Sequence, residues 1–229
     1  MSVKVNDNMI LNVKEIFRLI HNFQYEEAFL LSSEIMERKD NGDQLFHEWV
    51  KALAEFFTYG NKNTAIKLLE EIKPNKLENE IQFRIINSLM CFYIEIGNEQ
   101  AFLKYKKEIN SNLHKLDSEE LLVKIMCNFT NGYYEFKNYK KSLEYSEKSI
   151  KIAQKYRLFG FNFSLLLIIK IMSLLYLGEI TKAKNLKKDY ETFLKITNTI
   201  SDKKYLEKTL KIFYKEVANN EKIINKKTI

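Results

Sequence analysis

Glycine and proline are scarce in this sequence, with six Gly and one Pro, Pro74, in 229 residues. That excludes a β-rich chain, in which turns recur about every ten residues and draw on both residue types. Long helices are the default. Histidine is almost as rare: His21, His47 and His114 stand apart, none beside a Cys or carboxylate at ligand spacing, so no metal site and no cofactor is expected. The two cysteines, Cys91 and Cys127, lie inside apolar runs without a CxxC pair and read as buried free thiols of a reducing compartment. No apolar run reaches the ~20 residues that span a bilayer. The nearest, "FNFSLLLIIKIMSLLYL" from Phe161 to Leu177, is interrupted by Asn162, Ser164 and Lys170 and reads as a core helix covered on nearly all sides. The opening "MSVKVNDNMILN" lacks the basic-then-apolar pattern of a secretory signal, so a cytoplasmic location is expected. A Gly-rich phosphate loop, GxSxG and HExxH are all missing. Paired acids such as Glu26-Glu27, Glu70-Glu71 and Glu119-Glu120 are sequence neighbours that point apart on a helix, so an enzyme is not expected.

What is present fits a soluble protein, 45% hydrophobic and 29% charged, with a formal net charge of +7. The charge is unevenly spread. Residues 182–229 hold 13 Lys against 6 Asp plus Glu, while the first 181 residues hold 24 of each sign. A solvated terminal helix accounts for the basic end; direct nucleic-acid binding through it is the minority reading.

The sequence repeats itself. "YGNKNTAIKLLEEI" from Tyr59, "IGNEQAFLKYKKEI" from Ile96, "FKNYKKSLEYSEKSI" from Phe136 and "LGEITKAKNLKKDY" from Leu177 share a turn followed by a small residue. Aligned with "YEEAFLLSSEI", the small positions are Ala28, Ala65, Ala101, Ser142 and Ala183, spaced by 37, 36, 41 and 41. The turns are Gly60-Asn61, Gly97-Asn98, Lys137-Asn138 and Gly178-Glu179, where a helix can end in a left-handed residue that Gly or Asn adopts cheaply. Each unit is then a helical hairpin whose small residue lets the first (A) and second (B) helices approach, the logic of the tetratricopeptide repeat (TPR). The expected fold is all-α, a right-handed superhelix of about five TPR-like hairpins forming one domain over 1–229. The pairs are 8–22 with 24–40, 44–59 with 62–73, 78–96 with 98–115, 118–136 with 139–156, and 159–177 with 180–198. A capping helix follows over about 201–222, with Ser201 as N-cap and Tyr205, Leu206, Leu210, Phe213 and Val217 on one face.

In a TPR solenoid the A helices line the concave side, so one position repeated in successive A helices forms a ladder. Stepping back 14 residues from each small residue gives Lys14, Lys51, Asn87, Asn128 and Ile169. Asparagine is mildly unfavourable inside a helix, and its amide offers a donor and an acceptor together, the complement of an extended peptide backbone. Asn87 and Asn128 can therefore hold a peptide main chain, or else bond each other and fix helix packing. Arg84 and Lys124 lie one turn before them, and Lys170 adjoins the fifth rung, placed to receive a peptide's carboxylates. Lys51 and Asn131 complete the candidate peptide-binding set, and Phe83, Tyr133, Tyr134 and Phe163 are candidates for side-chain pockets.

At these rungs, "NSLMCFYIEIGN" and "CNFTNGYYEFKNYKKSLEYSEKSIKIAQKYRLFGF" resemble the third and fourth hairpins of the TPR sensor domains of Gram-positive peptide-pheromone receptors. This is the Rap, NprR, PlcR and PrgX class, most of all its PlcR type, and the phage arbitrium receptors are similar in style. The resemblance implies a short signalling oligopeptide in the concave groove, clamped on its backbone by Asn87 and Asn128, with Arg84, Lys124 and Lys170 as less secure carry-overs. It also implies a homodimer. Most such regulators begin with a helix-turn-helix domain, and only a few residues precede the first TPR helix here. The chain is thus expected to be the sensor half of a longer regulator or a free-standing receptor acting through a protein partner, with DNA as a partner only if a separate helix-turn-helix domain exists. The alternative is a constitutive TPR adaptor that binds a partner protein without a small peptide.

Overall fold

The computed structural model describes residues 7–37, 44–197 and 200–227. Among them there is no strand, and the chain divides into two compact units, residues 1–118 and 119–229. The first unit holds α1 (Asp7–His21), α2 (Tyr25–Glu37), α3 (Gln44–Phe57), α4 (Lys62–Glu71), α5 (Glu80–Glu95) and α6 (Glu99–Asn112), closed by a 3-10 turn at Leu113–Lys115. The second holds α7 (Glu119–Glu135), α8 (Tyr139–Lys155), α9 (Phe161–Tyr176), α10 (Ile180–Thr197) and α11 (Ile200–Lys227). These are the five expected hairpins and the terminal helix. α11 begins at Ile200, so Ser201 lies inside the helix rather than ahead of it.

Four A helices end at the expected turns, and α1 ends the same way at Phe23, which the sequence pattern does not single out. Phe23, Gly60, Gly97, Lys137 and Gly178 take φ between 59° and 77°. In all five, the next residue donates back into the helix: Gln24 N to Leu19 O at 2.9 Å, Asn61 N to Glu55 O at 2.8 Å, Asn98 N to Tyr93 O at 2.8 Å, Asn138 N to Tyr133 O at 2.8 Å and Glu179 N to Leu174 O at 2.9 Å. This satisfies carbonyls the helix end would otherwise orphan. The following asparagines then start the B helices: Asn98 Oδ1 accepts from Ala101 N at 3.0 Å and Asn138 Oδ1 from Lys141 N at 3.2 Å.

These left-handed residues also give the true register of the repeat. Five positions after each come Ala28, Ala65, Phe102, Ser142 and Ala183, each donating its amide to the carbonyl four residues back and each essentially fully buried. The third hairpin therefore departs from the expected alignment: Phe102 (0% exposed), not Ala101, holds the position between the helices, and Ala101 is half-buried.

The first unit's core includes Phe56 and Phe92, stacked with centroids 3.8 Å apart. In the second, α9 buries eleven residues, as its apolar sequence requires, and meets Leu206, Leu210 and Phe213 of α11. Tyr205, expected on that buried face, is exposed, and the side chain of Val217 lies outside the described residues. Among the described residues no helix is long and apolar enough to cross a membrane.

Candidate functional site

Counting 14 residues back in the corrected register, the rungs are Lys14, Lys51, Ser88, Asn128 and Ile169. Asn87 falls one position off the ladder and is buried, 4% exposed. The rung itself is Ser88, whose hydroxyl accepts a 2.9 Å hydrogen bond from Trp49 Nε1. Of the remaining rungs Ile169 is buried, Lys14 is exposed, and Lys51 and Asn128 are half-buried.

In the first unit, Lys51 Nζ lies 3.8 Å from Glu48 one turn earlier on α3. Arg84 is already engaged: its Nε donates to Glu80 Oε1 at 3.0 Å, and its guanidinium sits 4.5 Å over the Phe17 ring and 5.9 Å from the Trp49 ring. Phe17, Phe46 and Trp49 close a triangle with centroids 5.4–6.1 Å apart. One residue each from α1 and α5 and two from α3 thus form a cation-on-aromatic cluster. Sequence reasoning missed it, although Trp49 is the chain's only tryptophan and Glu80 precedes Arg84 by four residues, the spacing of a helical ion pair. A second missed cluster lies in the same unit: Glu70 of α4 accepts hydrogen bonds from Tyr93 Oη at 3.1 Å, from Lys73 Nζ at 3.1 Å and from buried Tyr105. Burial works to raise the Glu70 pKa, but the bonds from Tyr105, Lys73 and Tyr93 outweigh it and hold the carboxyl below its usual range.

In the second unit, α7 is buried at Leu121, Val123, Ile125–Cys127, Phe129, Thr130, Gly132 and Tyr133. Half-buried between them are Lys124, Asn128 and Asn131, at positions i, i+4 and i+7 of one helical face. The Cys127 thiol donates to the carbonyl of Asn162 at 3.7 Å, tying this helix to the start of α9. Lys170 is not an open cation: its Nζ lies 3.2 Å from Glu147 Oε1 on α8. Of the candidate pocket aromatics, Phe83, Tyr133 and Phe163 are core residues, and Tyr134 is half-buried, 5.8 Å from Tyr139 and 6.2 Å from Tyr176. Cys127 is buried as expected; Cys91 is only half-buried.

His47 is partnered by Ser32 Oγ at 3.0 Å and stacks on Phe29, with burial lowering its pKa. Among the described residues no three His, Cys, Asp or Glu side chains are grouped to hold a metal.

Paired antiparallel helices repeating at this interval define a helical-repeat protein of the TPR type. More narrowly, the chain belongs to the family described as the RNPP family C-terminal domain, whose model matches residues 13–166. The resemblance read from the sequence is thus correct at the family level. Among solved structures, the chain is similar to Bacillus thuringiensis PlcR in complex with the peptide PapR7 and DNA, at 19% identity and TM-score 0.74, covering 89% of this chain and 76% of that one. It is similar to a Rap protein complexed with competence and sporulation factor, at 17% identity and TM-score 0.63, over 80% of this chain and 53% of that one. TPR-like repeats from Podosopora anserina align at 15% identity and TM-score 0.60, over 83% and 96%. No curated protein matches the chain by sequence.

Proposed function

We propose that this chain is a peptide-sensing domain that grips the main chain of a short signalling oligopeptide. The observation that carries the reading is the Lys124, Asn128 and Asn131 stripe, half-buried polar residues set among the nine buried residues of α7, in a chain of the RNPP family. An amide at Asn128 can donate to one peptide carbonyl and accept from one peptide N–H, and Lys124 one turn away suits a carboxylate. Support also comes from the similar PlcR and Rap structures, which hold PapR7 and competence and sporulation factor. The proposed site rests less on Asn87, which is buried, and on Arg84 and Lys170, whose charges are already matched by Glu80 and Glu147.

Panning a phage-displayed library of random heptapeptides on the full chain tests the proposal: selected peptides should bind saturably, one per chain, and compete with one another. A library that yields no saturable binder contradicts it. The adaptor alternative draws on the exposed aromatics Phe23, Phe57 and Tyr59 at the hairpin turns of the first unit. It predicts partner capture without added peptide and unchanged by it. Homodimerisation belongs to the same proposal and is read by light scattering, with and without peptide.

A further inference from the structure

The net charge of +7 is concentrated in the second unit, which carries 22 Lys plus Arg against 12 Asp plus Glu, while the first carries 15 against 18. On α11, Leu206, Leu210 and Phe213 are buried in the unit's core, fixing which side faces out. That outer side bears Lys204, Lys208, Lys211 and Lys215, all exposed, at i, i+4, i+7 and i+11. They form one straight row about 16 Å long. Among the described residues none of the four has an ion-pair or hydrogen-bond partner, whereas neighbouring Lys203 lies 3.9 Å from Glu207. α10 repeats the pattern with exposed Lys184, Lys188 and Lys195 on one face.

We propose that α11 is a docking surface for the phosphate backbone of duplex DNA, independent of the peptide reading. A rigid helix with evenly spaced charges suits an acceptor whose charges are also fixed and evenly spaced, such as the two phosphate strands of a duplex. The cations of α11 are all Lys and none Arg, which suits point-charge contact to phosphates over bidentate base reading or a protein interface, where Lys is depleted. Insertion into a membrane surface needs a free apolar face, and the main apolar face of α11 is already used inside the unit. A flexible single strand gains most from a run of stacking platforms. The exposed aromatics of α11, Tyr205 and Tyr214, stand nine positions apart and supply none.

The test is fluorescence anisotropy of the full chain with a labelled 24-base-pair duplex of arbitrary sequence, titrated from 50 to 200 mM salt. Four phosphate contacts predict a log–log slope of about −3.6 and a loss of about a hundredfold across that range. Each Lys→Gln change at Lys204, Lys208, Lys211 or Lys215 should reduce the slope by about 0.9, and Lys67→Gln in the first unit should leave it unchanged. All four side chains are exposed, so the quadruple variant keeps its fold, checked by circular dichroism. Absence of duplex binding at 50 mM salt, or equal binding by the quadruple variant, overturns the proposal. So does lysine-dependent binding to phosphatidylserine vesicles, or lysine-dependent self-association, without duplex binding.

Discussion

Glu70 shows what a single residue holds in place. Its carboxylate collects donors from Lys73 on the loop after α4, Tyr93 on α5 and Tyr105 on α6, joining the second and third hairpins of the first unit. Glu70→Gln should lower stability at neutral pH by about 1–3 kcal/mol, read by urea denaturation, because it weakens charge-assisted bonds to a largely buried tyrosine. The pH dependence follows from the depressed carboxyl pKa. Its contribution is fully present above the ordinary value of 4.5 and is lost as pH falls through the lower folded value. The difference between wild type and Glu70→Gln should therefore shrink below about pH 4.5 and stay constant between pH 6 and 8. A constant difference down to pH 3 contradicts the assignment.

At the scale of the element, the left-handed helix ends set the repeat. Gly60, Gly97 and Gly178 adopt that conformation without strain, but Lys137 at φ 59° does so against its Cβ. Lys137→Gly should stabilise the chain by about 1 kcal/mol, and Gly97→Ala should cost about 1–2 kcal/mol, since an added Cβ there meets nothing within 4 Å and only the backbone conformation resists it. Both are read as shifts in thermal midpoint. The hairpins were legible in the sequence because these caps are local: Gly or Asn at a fixed distance from the next helix needs no knowledge of what lies across from it. The register of the third hairpin was not. Ala101 looks like the small contact residue, but it is Phe102 that is buried. That one-residue slip moved a rung from Ser88 to Asn87. Phe102→Ala should cost about 3–5 kcal/mol while Ala101→Ser stays within about 0.5 kcal/mol. The reverse order would restore the original alignment. Arg84 pairing with Glu80 could have been read from their spacing; Lys170 meeting Glu147 crosses between helices and could not.

For the whole molecule, the sequence leads to one domain over 1–229, and we propose that the five hairpins unfold together. Neighbour-to-neighbour coupling in helical repeats predicts a single calorimetric transition; two resolved transitions contradict it. The central claim remains that a short peptide is held by its main chain on α7. Calorimetric titration of a library-selected heptapeptide into wild type and into folded Asn128→Ala tests it most directly. The account predicts at least a tenfold loss of affinity in the variant, the ~1.4 kcal/mol of one lost backbone grip. Equal affinity for both proteins would contradict it.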